Sequence, residues 1–199
     1  MFAPALSHQA DYTKIRDGLD AALAEVDGDA AIADRCRNRA MAFAKAGEPL
    51  EALHELHHAK VRWFHGDSMY GSVLTMRYIG NLYRELGLPY AAKMYACSAA
   101  VMANQSTDSA LKTQLPKALF EAARSAHFAG CWVDAAALTE VALTAQNAFA
   151  IDPYDFDQYS DLESAELNEL MALAAVHKFW PELEPCSKPP TRLLGGTGI

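Results

Sequence analysis

An all-α protein is what this sequence predicts, and three observations carry the prediction. Alanine is abundant, and Leu, Met, Glu and Lys supply much of the remainder; all five are helix formers. No run alternates β-branched with polar residues, so no segment reads as a strand. Helix breakers recur at intervals that leave room for a helix between each pair.

The breakers define the elements in order. Asp27-Gly28-Asp29 separates a helix near 10–26 from one near 30–46. Gly47-Glu48-Pro49 turns the chain into a helix that runs to about 64. In His65-Gly66-Asp67-Ser68, Asp67 or Ser68 is placed to cap a helix that continues to about 86. Gly87-Leu88-Pro89 opens the next, which ends near 104. The polar stretch 104–109 breaks the pattern. A helix near 113–129 carries Pro116 in its first turn, where a missing N–H is tolerated. Gly130 leads into a helix of about 131–149, and a loop follows at 151–157. Ser160 and Glu163 have capping-box spacing and open a last helix to about 179. The Pro- and Gly-rich tail is expected to be extended or mobile, which divides the chain into a helical domain, 1–182, and a tail, 183–199.

Composition excludes several classes. The chain has 199 residues, 51% of them hydrophobic, enough for one sizeable core without disulfides. A net charge of -8 argues against a whole-surface nucleic-acid binder. Cys36, Cys97, Cys131 and Cys186 are widely spaced and form no C-x-x-C pair, as expected for thiols in a reducing compartment. No basic segment precedes an apolar stretch at the N-terminus, and no apolar run approaches the ~20 residues of a membrane helix. A cytoplasmic protein is therefore expected. No phosphate-binding glycine loop or G-x-S-x-G elbow is present. Asp152, Asp155, Asp157 and Asp161 lack calcium-loop spacing, and Tyr154, Phe156 and Tyr159 are expected to pin that loop to the last helix. No cofactor is expected.

The segments repeat. Gly47-x-Pro49-x-x-Ala52 recurs as Gly87-x-Pro89-x-x-Ala92 and more loosely as Gly130-x-Trp132-x-x-Ala135, at intervals of 40 and 43 residues. Each glycine stands where a tight turn needs positive φ. Each alanine stands where two helices must approach closely, and Ala59, Ala99 and Ala142 follow seven residues later on the same face. The middle unit continues as Met76-x2-Ile79-Gly80-x2-Tyr83, then Gly87, Ala92, Ala96 and Ala99. The first reads Cys36-x2-Arg39-Ala40-x2-Phe43, and the third Leu119-x2-Ala122-Ala123-x2-Ala126. This pattern resembles the tetratricopeptide repeat family over about 33–150. The period is longer than the family's roughly 34 residues. The aromatic at the opening position is missing, and Arg39 stands where the family has Leu. The resemblance implies a right-handed α-solenoid of about three helical hairpins with capping helices.

One stretch competes with that picture. His54-Glu55-Leu56-His57-His58 satisfies H-E-x-x-H, the zinc motif of many metallopeptidases. A catalytic zinc needs three protein ligands. The extension H-x-x-G-x-x-H is absent, Glu85 is a third ligand by chain order alone, and no strand exists to hold a peptide. With Ala52, Leu56 and Ala59 as the packed face, His54, Glu55 and His58 are expected to face solvent.

In the family that the repeats resemble, the first helix of each hairpin lines a concave surface. Those positions carry over to Arg37 in the first unit, Arg77, Asn81 and Arg84 in the second, and Lys117 and Arg124 in the third. Arg77, Asn81 and Arg84 are spaced i, i+4, i+7 and share a face. Arginine suits carboxylate through its planar fork. The expected function is therefore a non-enzymatic interaction module that takes an acidic peptide or partner chain in a basic groove. Met41 and Glu121 depart from the family's two-carboxylate clamp, which argues against a chaperone adaptor. The alternatives are a sensor domain of a larger regulator reading a small ligand, a self-associating helical array, and the zinc hydrolase.

Overall fold

The computed structural model describes residues 3–149 and 161–178. Every regular element among them is a helix: α1 (Ala3–Lys45), α2 (Pro49–His65), α3 (Met69–Glu85), α4 (Pro89–Gln105), α5 (Ser109–Lys112), α6 (Gln114–Phe128), α7 (Trp132–Ala148) and α8 (Asp161–His177). The tail 183–199, the loop at 151–157 with its aromatics, and the Ser160 cap lie outside the described residues.

The expected break at Gly28 is present. Its φ of 76° and ψ of 172° interrupt α1 and leave two arms, 3–27 and 29–45. Gly47, Gly87 and Gly130 also have positive φ, and each closes a helix with the same pair of bonds. At Gly87, its own N–H reaches the Arg84 carbonyl at 2.9 Å and the Leu88 N–H reaches the Tyr83 carbonyl at 2.8 Å. This is the Schellman motif, which satisfies the last helical carbonyls with glycine in the left-handed position. The turn from α2 to α3 makes the long bond too, Ser68 N–H to the Trp63 carbonyl at 3.0 Å, but with Asp67 at φ 50° in place of glycine. Pro49 and Pro89 stand at the first positions of α2 and α4, where proline is pre-organised. Ser68 caps α3 by accepting from the Gly71 N–H.

Two 17-residue helices and two three-residue turns account for the 40-residue interval between Gly47 and Gly87. The next interval is longer because the short α5, capped by Asp108, is inserted ahead of α6. Sequence pattern did not reveal α5; four residues carry no periodicity.

Each long helix packs on its neighbour in the chain: α1 on α2, α2 on α3, α3 on α4, α4 on α6, α6 on α7 and α7 on α8. Smaller contacts join α3 to α6 and α6 to α8. The core follows this order as a series of clusters. Ile32, Ala33, Cys36, Ala59 and Trp63 form the first. Ala40, Ala52, Leu56, Ile79 and Leu82 form the second. Val73, Ala99, Ala103, Leu111, Phe120 and Ala142 belong to the third, and Ala123, Ala126, Ala135 and Leu170 make the fourth. The repeated alanines Ala52, Ala59, Ala92, Ala99, Ala135 and Ala142 are each fully buried, so they set the distance at which helices meet.

Gly71 marks the closest approach. A methyl group there would overlap the buried indole of Trp63. Gly71→Ala is therefore expected to lower stability by about 1–3 kcal/mol, since a packed ring cannot yield without moving the α2–α3 contact. Urea unfolding checks this, and an unchanged midpoint would contradict the packing.

Candidate functional site

On the side where α3, α6 and α8 meet, three rows of polar residues face one another. Arg77, Asn81 and Arg84 come from α3, and Lys117, Glu121 and Arg124 repeat their spacing on α6. Glu166 and Glu169 come from α8. Arg77 holds Glu121 with two bonds, Nε to Oε2 at 2.9 Å and Nη2 to Oε1 at 2.6 Å, and its Nη1 donates to Gln114 Oε1 at 2.6 Å. Asn81 Nδ2 reaches Glu121 Oε1 at 3.5 Å. Arg124 donates Nε to Glu166 Oε2 at 2.7 Å, and His127 Nε2 lies 3.3 Å from Glu169. The Glu121 carboxylate is nearly enclosed, whereas the Glu166 side chain is 40% exposed.

Arg77, Asn81, Arg84 and Arg124 thus gather along this seam, and Lys117 shares the face of α6 one turn before Glu121. Arg37 does not join them; it pairs with Asp34 one turn away at 2.8 Å. The seam is also less basic than the sequence suggested. Glu121 neutralises Arg77, and Glu166 neutralises Arg124.

Arg84 differs from both. It is half-buried, its Nη1 is enclosed, and that nitrogen meets no acceptor among the described residues. Burial, and next the neighbouring Arg124, push its pKa below the ordinary arginine value, with Glu166, Glu121 and Glu85 opposing. A guanidinium remains charged in spite of such a shift. The seam therefore holds a guanidinium whose Nη1 has no acceptor among the described residues, next to a second cation engaged with a half-exposed carboxylate.

A second polar cluster lies where α1 meets α2, and it corrects one expectation. Glu55 does not face solvent. Its side chain is 1% exposed and is clamped by two arginines, Arg16 Nη1 at 3.1 Å and Arg39 Nε at 2.9 Å. Arg39 also donates Nη2 to Asp20 Oδ2 at 2.8 Å and to Cys36 Sγ at 3.2 Å. Burial opposes the charge on Arg39, but hydrogen bonds to Asp20 and Glu55 outweigh it and raise its pKa. The Cys36 thiol is pushed up to about 11, first by burial. The arginine that broke the repeat pattern is thus the partner of a buried carboxylate.

His54 and His58 stay exposed, as expected, yet both contact Arg16. Arg16 Nη1 lies 3.0 Å from His54 Nδ1, and Nη2 lies 3.4 Å from His58 Nε2. The polar side of the HELHH helix therefore encloses a guanidinium, which is a cation and repels a metal ion. No three His, Cys, Asp or Glu side chains gather as metal ligands among the described residues. His57 points elsewhere, with Nε2 3.3 Å from the Tyr83 hydroxyl in a cluster with Tyr95 and Lys60. Burial, then Lys60, lowers its pKa.

Sequence reasoning missed Arg16, Asp20 and Glu166. Only Arg39, as a departure from pattern, signalled the first cluster. Compared with known proteins, the chain matches no family model and no curated sequence. Among the described residues no helix is long and apolar enough to cross a membrane.

Proposed function

We propose that the protein is a cytoplasmic helical-repeat interaction module, a right-handed solenoid of tetratricopeptide-like hairpins, that binds an acidic peptide segment along the α3–α6–α8 seam. The observation that carries this is Arg84, an enclosed guanidinium nitrogen without an acceptor. A buried guanidinium nitrogen left without an acceptor costs the fold stability. A ligand carboxylate that completes its hydrogen bonds removes that cost on binding. Arg124 supports the same ligand, because Glu166 is exposed enough to be exchanged for an incoming carboxylate. Asn81, one turn from Arg84, is placed to bond a peptide backbone. The serial packing of helices and the repeated glycine caps support a preformed receptor surface, which spares the ordering cost on this side of the complex.

Fluorescence anisotropy with a labelled Asp/Glu-rich peptide tests the reading, using a Lys-rich peptide as control. Wild type should prefer the acidic probe, and Arg84→Gln should weaken it roughly tenfold or more, about 1.4 kcal/mol. The same variant should unfold at the same or higher urea concentration, because it removes an unsatisfied charge. Equal affinity of wild type and variant for the acidic probe, or no preference over the basic one, would overturn the proposal.

A further inference from the structure

Among the described side chains of the arm 3–27 of α1, the buried contacts are made by charged groups. Among its described side chains, 11–23, only Arg16 and Asp20 are buried. Ile15 and Leu19 are exposed, and the aromatic contact is a single edge of Tyr12 against Phe43, 6.0 Å between centroids. Two side chains share the attachment: Arg16 bonds His54, Glu55 and His58 on α2, and Asp20 accepts from Arg39 and Cys36 on 29–45.

A guanidinium can only donate hydrogen bonds. The ring nitrogens that meet it, Nδ1 of His54 and Nε2 of His58, must therefore present lone pairs. The geometry therefore has each ring turn an unprotonated nitrogen toward Arg16. A second proton on either ring places a donor against a donor and a positive charge against Arg16. We propose that His54 and His58 form a pH-sensitive latch that holds the amino-terminal arm on α2 when neutral and releases it when protonated.

Among the described residues, the groups that act on this pair are Arg16 and Asp17 of the arm and Glu55 of α2, and the two rings meet at 4.7 Å between centroids. Tyr83 of α3 reaches His57 and not the pair. The balance at His58 is set first by burial and next by Arg16, both of which lower its pKa, while Glu55 and Asp17 oppose. The sign follows from linkage. A histidine whose pKa is lower docked than undocked favours docking fully above its undocked value of about 6.5, and the contribution fades as pH falls through that value. The hinge is in place at Gly28, whose non-helical φ and ψ separate the arms and whose Cβ position is open. Just beyond it, Asp29 is tied to Arg62 of α2 at 2.9 Å, which keeps the start of 29–45 on α2 independently of Arg16.

Hydrogen exchange of the whole chain, read at 11–23, tests the latch at about pH 7.5 and about pH 5.5 after correction for intrinsic rates. Wild type should lose roughly tenfold in protection there at the lower pH, while α4 and α7 stay protected. In His54→Asn/His58→Gln, side-chain amide oxygens replace the two acceptors and do not titrate. That variant should keep the arm protected at both pH values. Arg16→Gln should lower protection there by the same factor at both pH values, which shows that the histidines act through Arg16. Unchanged protection in wild type, an equal loss in the double variant, or a loss shared with α4 and α7 would overturn the proposal.

Discussion

Glu55→Ala should unfold at a much lower urea concentration than wild type, a loss of about 3–5 kcal/mol. The carboxylate is enclosed and accepts from Arg16 and Arg39 together. Without it, two guanidinium groups face each other in a buried space, with Asp17 and Asp20 as their remaining carboxylate partners. The desolvation already incurred by both arginines is then uncompensated. Glu55→Gln keeps an acceptor oxygen and should lose less. Glu55→Leu combined with Arg16→Leu should recover part of the loss of Glu55→Ala, because an apolar pair replaces an ion pair at small net cost. A Glu55→Ala midpoint within about 1 kcal/mol of wild type would show that the network does not hold α1 to α2. The same variants bear on the HELHH motif. A loss of any activity in Glu55→Gln cannot be read as loss of a general base, because the residue supports the fold.

Turns were legible from sequence for a local reason. A helix that must stop and reverse within three residues needs a left-handed residue, and Gly28, Gly47, Gly87 and Gly130 supply it without a Cβ. The turn at Asp67 uses the same geometry with a residue that tolerates it less well; the sequence offered Asp67 or Ser68 as the cap there, and Ser68 is the one that serves. Alanine spacing revealed which faces pack, since buried alanines recur with the helical period. Pairing across helices was less legible. Glu55 looked solvent-facing because it falls between the packed positions Ala52, Leu56 and Ala59; its partners come from residues 16 and 39. Arg84 and Arg77 look equivalent along α3, yet only Arg77 meets a carboxylate from α6. That difference is decided by the offset between two helices, which no single-helix pattern encodes.

The offset between α3 and α6 leads to the second large effect, in which stability and binding move in opposite directions. Glu121→Gln should lower stability by about 2–3 kcal/mol, because Arg77 loses a nearly enclosed, doubly bonded anion and retains Gln114. If the seam receives acidic peptides, the same change makes it more basic by one unit beside Arg84 and removes an internal competitor for the ligand carboxylate. Affinity for the Asp/Glu-rich probe should then rise about tenfold, and its salt dependence should steepen. A purely structural Glu121 predicts only the first effect. Urea unfolding and anisotropy on the same preparation separate the cases: a destabilised variant with unchanged or weaker probe binding would mean that the α3–α6 ion pair cements the fold and that the acidic ligand, if bound, sits elsewhere. A destabilised variant that binds more tightly would mean that the protein gives up affinity at this seam for a stable fold, with Arg84 left as the charge that the fold does not neutralise.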